Sequence, residues 1–135
     1  MPDARCTYDY AVIRVVPRVE REEFVNVGII LSCEASGYLE ARIELDAARV
    51  LSLDPQIDIE ALRRHLDTLP AICKGGPGSG PIGQLPLRAR FHWLTAKRSS
   101  IIQTSPVHMG KCADMAAIME HLLDRMVRVE RTHSP

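Results

Sequence analysis

The sequence lacks the features that mark several large classes of protein. None of its 135 residues lies in an apolar run of the roughly 18 residues that a membrane span needs. Residues 1–10 contain Asp3 and Asp9 and no apolar core, so we expect no secretory signal and a cytoplasmic location. The four cysteines include no C-x-x-C pair, which excludes zinc ribbons and dithiol redox motifs. We therefore expect one domain over 1–135, with reduced thiols and with no metal and no cofactor.

Acidic residues are missing from a long internal segment. Residues 68–113 contain six bases and no Asp or Glu, whereas residues 1–60 contain twelve acids and six bases. Such a segment can form an anion-binding face. Alternatively, its bases pair with the acidic first part of the chain or are simply solvated. Aromatic residues are also few, at 4%, which argues against base stacking on single-stranded nucleic acid.

The first third of the chain has the pattern of a sheet. Strands are predicted over 7–17, 24–33 and 38–45, and the third alternates apolar and polar residues most clearly. The second contains an apolar run, Val27 to Leu31, which is typical of a strand covered on both faces. Gly28 within that run indicates a bulge or a close backbone contact. The short connections favour an antiparallel meander.

Helices are predicted after these strands. One covers 57–69, with Asp58 as its N-cap and Pro70 at its end, and a short helical turn over 47–53 precedes it. A final helix over 113–131 has Asp114 as its N-cap. Both long helices have an apolar stripe at helical spacing, so both are expected to pack on the sheet.

The region between the two long helices is predicted to hold a loop and two strands. Residues 74–83 contain five of the eight glycines and no Walker pattern, so we expect a flexible loop rather than a phosphate-binding one. Strands are predicted over 88–96 and 101–108. The fold class that follows is α+β, a mainly antiparallel sheet of about five strands with two principal helices in the order β-β-β-α-β-β-α.

Several strings resemble a bacterial family of unknown function. They span nearly the whole chain and include YDYAVIRVVP at 8–17, EFVNVG at 23–28, LPLR at 85–88, WLTA at 93–96 and SPVH at 105–108. The resemblance implies no established activity. Members of that family are often encoded beside HipA-like kinases, which implies such a kinase as a partner. Ala89, Lys97 and Thr104 depart from the family pattern, so the positive charge of this segment is not attributed to the family's function.

Eight residues are candidates for a site. If residues 88–96 form a strand, two arginines share one of its faces and the returning strand brings a histidine back beside them, with a third arginine about 20–30 Å away at the hairpin tip. These candidates for binding an anion or a partner are Arg88, Arg90, His108 and, at the tip, Arg98. The polar candidates within the motif strings are Asp9, Arg14, Asn26 and Ser105.

Catalytic and metal-binding arrangements are weakly indicated. Ser105 or Ser99 could pair with His108 and Asp9 as a nucleophile, but there is no nucleophile elbow. His108 and Cys112 could chelate a metal only if Cys33 or Cys73 folded nearby.

Two functions remain open at this point. The first is a non-catalytic binding or adaptor module that acts with a protein such as the HipA-like kinase. The second is a binder or hydrolase directed at phosphate or nucleic acid through residues 88–111. Without a recognisable catalytic motif, the sequence does not decide whether the chain is an enzyme.

Overall fold

Two layers of helices enclose a five-stranded antiparallel sheet. The computed structural model describes residues 5–98 and 100–129. The strands are β1 (Cys6–Val15), β2 (Val25–Cys33), β3 (Tyr38–Ile43), β4 (Ile102–Thr104) and β5 (His108–Cys112). The helices are α1 (Ala47–Leu53), α2 (Ile59–Lys74), α3 (Gly80–Gly83), α4 (Leu87–Leu94) and α5 (Met115–Leu122), which continues as a π turn, Leu123–Val127. Short 3₁₀ turns, Val19–Arg21 and Glu34–Ser36, connect the first three strands.

The long strand β1 organises the sheet. The strand order β3-β2-β1 is the predicted meander. The other edge of β1 is shared, because β4 pairs with its residues Ile13 to Val15 and β5 pairs with Cys6 to Tyr10. The predicted α+β class and the five antiparallel strands are therefore confirmed.

The central strand β2 is covered on both faces, as its apolar run predicts. Ile30 belongs to one core cluster, while Ile29 and Leu31 belong to the other. Gly28 lies where the register between β1 and β2 shifts, and a Cβ at this position would clash with the backbone carbonyl of Arg42. Both the bulge and the close backbone contact predicted for Gly28 are thus present.

Each face of the sheet has its own core. On one face, α1, α2 and α4 bury an apolar cluster that includes Val50, Leu66, Phe91 and Leu94. On the other face, α5 and the π turn bury a smaller cluster; its helical members are Met119, Leu122, Leu123 and Val127. No helix in the described residues is long and apolar enough to span a membrane.

The helix caps agree with the sequence, but one predicted helix end does not. The side chains of Asp58 and Asp114 accept hydrogen bonds from the third residue of their helices, at 3.0 and 3.1 Å. The prediction that α2 ends at Pro70 is wrong, because the helix continues to Lys74. The last turn buries Ile72 and Cys73, and this burial offsets the amide hydrogen bond that a proline cannot donate. Residues 130 and 131 of the predicted last helix lie outside the described residues.

The predicted strand over 88–96 is wrong, because these residues belong mostly to α4. Phe91 and Leu94, three positions apart, are both buried, and such spacing is helical rather than strand-like. Successive residues of a helix turn by about 100°, so Arg88 and Arg90 lie roughly 200° apart instead of sharing a face. The predicted strand over 101–108 is also incomplete, since it is interrupted after Thr104 and a fifth strand begins at His108. Within residues 74–83 the structure contains α3, and the flexibility of this segment stays a prediction.

Candidate functional site

Arg88 and Asp9, two of the predicted site residues, pair with each other. The guanidinium of Arg88 donates to the carboxylate of Asp9 at 2.7 Å and lies 5.1 Å from the centre of the Phe91 ring. The pair joins α4 to β1. A base of the acid-free segment is therefore neutralised by an acid from the first part of the chain, which was the alternative to an anion-binding face.

Arg90 and Arg98 bind backbone carbonyls at the ends of helices. Arg90 donates to the carbonyls of Ile72 and Cys73 at 3.1 and 2.5 Å, in the last turn of α2. Arg98 donates to the carbonyl of Trp93 at 2.5 Å and lies 4.4 Å from the centre of its indole ring. The last carbonyls of a helix lack intrahelical partners and favour cations, so both arginines stabilise helix ends.

His108 and Ser105 occupy separate roles on the edge of the sheet. His108 is exposed at the start of β5, and its ring centre lies 5.4 Å from that of Tyr10. Ser105 is buried, and its hydroxyl accepts the Val12 amide at 2.8 Å and donates to the Pro106 carbonyl at 2.9 Å. Both hydrogen-bonding functions of this hydroxyl thus serve the backbone. Ser99 lies outside the described residues.

The metal arrangement suggested by His108 and Cys112 is not formed. The two residues stand at opposite ends of β5, four positions or about 13 Å apart along the strand. In the described part of the chain, no group of three His, Cys, Asp or Glu side chains is placed to hold a metal ion.

Arg14 and Asn26, in contrast, meet in a polar row across the sheet. Arg14 on β1 is the register partner of Asn26 on β2 and of Gln103 on β4, so the three side chains share one face. The amide of Asn26 donates to the carbonyl of Met126 at 2.9 Å, which places the row beside the π turn. The guanidinium of Arg14 lies 4.1 Å from the centre of the Phe24 ring.

Two atoms of this row are buried without a hydrogen-bond partner in the described residues. They are Arg14 Nε, a donor, and Asn26 Oδ1, an acceptor. Arg128, in contrast, has several partners for its guanidinium. It contacts Glu44 at 2.6 Å, Asp124 at 2.7 Å and Glu120 at 2.9 Å. Buried polar atoms are normally satisfied, so this orphan donor and this orphan acceptor on adjacent strands are exceptions.

Arg14 faces a polar cavity of about 410 Å³. Besides Arg14, Arg98 and Gln103 line the cavity on one side, and Glu20 and Glu22 contribute carboxylates. Because helix carbonyls already bind Arg98, the cavity offers the guanidinium of Arg14 beside two carboxylates. A group of mixed charge fits it better than a polyanion, because the carboxylates would repel a row of phosphates.

An apolar cavity of about 570 Å³ lies next to the polar one. Val19 lines both cavities, so they meet at the Val19–Arg21 turn. The apolar cavity is formed by α2 and the segment before it, and by the start of β4 and the segment before it. Its main lining residues are Ile57, Ala61, Leu62, His65, Ile101 and Ile102. We call the two cavities and the residues that line them the Val19 surface.

The Val19 surface exposes large apolar side chains. Val19, Phe24 and Ile101 are 36%, 45% and 42% exposed. None of the three was predicted as a site residue, and neither was Gln103. The available signal was Val19 itself, an apolar residue within the charged connection from Arg18 to Glu23. An apolar side chain in such a connector has no core to enter, so it is a candidate for contact with a partner.

The family comparison agrees with the resemblance seen in the sequence. A family described as "Protein of unknown function (DUF3037)" matches residues 10–127. The chain belongs to the DUF3037 family. The matched residues include the whole Val19 surface, whereas Cys6 and Asp9 precede the DUF3037 match. Comparison with curated proteins and with solved structures gave no significant match.

Proposed function

We propose that this DUF3037 chain is a non-catalytic protein-binding module and that the Val19 surface is where its partner docks. The observation that carries the proposal is the junction at Val19, where an apolar cavity and a polar cavity meet between exposed apolar side chains. Protein interfaces combine an apolar centre with arginine and a polar rim, and a few anchoring side chains supply most of the affinity.

The chemistry of the two cavities describes the partner. The apolar cavity takes one large apolar side chain, such as Leu or Phe. Beside it, Arg14 takes a carboxylate, and Glu20 and Glu22 take a base. A protein segment that carries an apolar residue between an acid and a base therefore complements the Val19 surface.

The second candidate function, binding of phosphate or nucleic acid, has less support. It relied on Arg88, Arg90 and Arg98, whose guanidinium groups are engaged by Asp9 and by helix carbonyls. Releasing them would leave a carboxylate and several carbonyls without their donors, and this costs free energy. The HipA-like kinase implied by the family resemblance is a protein, so it remains the partner that we propose to test first.

The test compares two variants that each place a charge on an exposed apolar residue. Ile101→Asp changes the Val19 surface, because Ile101 lines the apolar cavity. Val107→Asp is the matched control, since Val107 is equally exposed, at 42%, and is not part of the Val19 surface. Each full-length protein is immobilised, and binding of a purified HipA-like kinase from the same organism is measured. The same beads are exposed to a nuclease-treated lysate.

We expect Ile101→Asp to reduce binding by at least about tenfold, because it puts a charge into the apolar cavity. Val107→Asp should bind like the unchanged protein, and circular dichroism should show both variants folded. Equal binding by both variants would contradict the proposal. Capture that disappears on nuclease treatment would favour nucleic acid instead.

A further inference from the structure

Three of the four cysteines gather at one end of the sheet. Cys6 on β1 is the direct register partner of Cys112 on β5. Cys33 ends β2 and is fully buried. All three belong to the core cluster beneath α5, and none of the cysteines is joined by a disulfide.

The pair Cys6 and Cys112 has a strand register that allows a disulfide. Residues directly opposite in antiparallel strands have Cα atoms about 4.5–5.5 Å apart, and disulfides join Cα atoms about 4.4–6.8 Å apart. As register partners, the two side chains point to the same face of the sheet. A bond between their sulfurs is therefore compatible with the pairing of the two strands.

The other cysteines are less suited to this bond. Cys33 follows Ser32, the partner of Asp9, so it lies diagonally from Cys6, where Cα atoms are roughly 7–8 Å apart. Cys33 is also fully buried, while Cys6 and Cys112 are partly exposed. Cys73 lies in the core on the opposite face of the sheet, where burial raises the pKa of its thiol to about 12.

We propose that Cys6 and Cys112 are a reversible oxidation site, which closes to an intramolecular disulfide on reaction with a small-molecule disulfide such as oxidised glutathione. The Cys112 thiolate attacks one sulfur of oxidised glutathione, the S–S bond breaks, and one glutathione thiolate leaves. The Cys6 thiolate then attacks the Cys112 sulfur of the mixed disulfide and releases the second glutathione. Two cysteine thiols are oxidised, two glutathione thiols are formed, and the protons lost by the cysteines protonate them.

Cys112 is assigned the first step because of its position. It ends β5, next to the turn before α5, and its sulfur accepts a hydrogen bond from the Asp114 amide at 3.4 Å. Cys6 lies opposite, within the sheet, and is placed to attack the mixed disulfide. Closing the bond would fasten β5, and with it the start of α5, to β1. This inference does not depend on the proposed function.

The chain allows a clean test, because each cysteine falls in a separate tryptic peptide. The peptides are 6–14, 22–42, 65–74 and 112–125. The full-length protein is incubated with oxidised glutathione, its remaining thiols are alkylated in acid, and the digest is analysed by mass spectrometry without reduction. We expect a linked pair of peptides 6–14 and 112–125, which separates on reduction.

Variants identify the bond and the order of the steps. Cys33→Ser and Cys73→Ser should still form the link, whereas Cys6→Ser should accumulate glutathione on Cys112. A main product that links 6–14 to 22–42, a link between two copies of the chain, or unreacted Cys6 and Cys112 would overturn the proposal. The unchanged protein alone distinguishes these products, so the test does not require that any variant fold.

Discussion

The two edges of β1 are built in different ways. Along one edge, β2 pairs without a gap from Asp9 to Val15, with one shift of register. Along the other edge, β4 and β5 each pair with only part of the strand, and Ser105 bridges the interval by accepting the Val12 amide with its hydroxyl.

The difference shows that two edges of one strand can form for different reasons. Burial of apolar side chains determines one edge, and contacts of single residues determine the other. The β2 edge follows from an apolar run that is buried on both faces, so many similar sequences would form it. The β4–β5 edge depends on single residues with specific contacts. Ser105 accepts the Val12 amide, and Gly110 leaves room for the Tyr8 ring, which a Cβ would displace. Substitutions should therefore act through packing at the first edge and through individual polar contacts at the second.

The largest expected effect is at the β2 edge. Ile30→Ala removes a fully buried side chain from the core under α2, so the free energy of unfolding should fall by about 2–5 kcal/mol. Urea unfolding followed by circular dichroism measures the change. Val107→Ala, on an exposed residue of the other edge, should change it by less than about 0.5 kcal/mol. An effect of Ile30→Ala as small as that of Val107→Ala would mean that burial of Ile30 contributes little to stability.

Oxidation should strengthen the β4–β5 edge. A Cys6–Cys112 bond closes a long loop, so it should raise the free energy of unfolding by about 2–4 kcal/mol. The measurement compares urea unfolding of the glutathione-oxidised and the reduced protein. Cys112→Ser, treated in the same way, should show no gain. An oxidised protein that unfolds at the same urea concentration as the reduced one would contradict this expectation.

Removal of the bridging hydroxyl should weaken the same edge. Ser105→Ala leaves the buried Val12 amide without its acceptor, which should cost about 1–3 kcal/mol. The amide of Val12 should also exchange with deuterium faster. Ser52→Ala is the control, since its hydroxyl donates to the Arg49 carbonyl at an exposed site. If both variants behave alike, Ser105 does not hold the edge.

The smallest expected effect on stability concerns the ion pairs of Arg128, which do not involve either edge of β1. Arg128 donates to Glu44 and Glu120, and these hydrogen bonds hold the pKa of both carboxyl groups below the usual range. Their stabilisation is complete above the pKa of the unfolded chain and is lost as the pH falls through the lower, folded pKa. Because these groups are exposed and solvent screens them, we expect only a small loss of stability as the pH falls from about pH 5.

Arg128→Gln provides the measurement for these ion pairs. It should remove the extra dependence on pH, while the effects of Ile30→Ala and Ser105→Ala stay the same at pH 7. Thermal unfolding at several pH values shows whether the slope changes. If the stability of Arg128→Gln depends on pH as that of the unchanged protein does, other acidic residues cause the loss of stability at low pH.

The fold was predictable where periodicity was strong. The three-stranded meander, the bulge at Gly28 and the caps at Asp58 and Asp114 were all visible in the sequence. The helix α4 was not, because its eight residues include Phe91, His92 and Trp93, whose propensities allow a strand. Only the burial of both Phe91 and Leu94 indicates a helix, because the two residues are three positions apart. That burial depends on the rest of the chain.

The site was less predictable than the fold. Arg90 and Arg98 were predicted as site residues because they lie in the segment without acids. In the structure helix carbonyls bind both, and the sequence does not show which carbonyls lie nearby. Arg14 was marked by its motif alone. Its position in a row with Asn26 and Gln103 depends on the register of β1 with two other strands, and register between distant segments is a tertiary property.

The interruption at Pro106 also limits how the sheet can grow. A free sheet edge offers a line of amides and carbonyls on which a further strand can be added, and aggregation often begins there. The edge formed by β4 and β5 is divided into three and five residues, and Pro106 between them has no amide to donate. A strand from another chain would find no continuous ladder along this side. A strand from another chain can therefore pair with at most five residues of this side in one run.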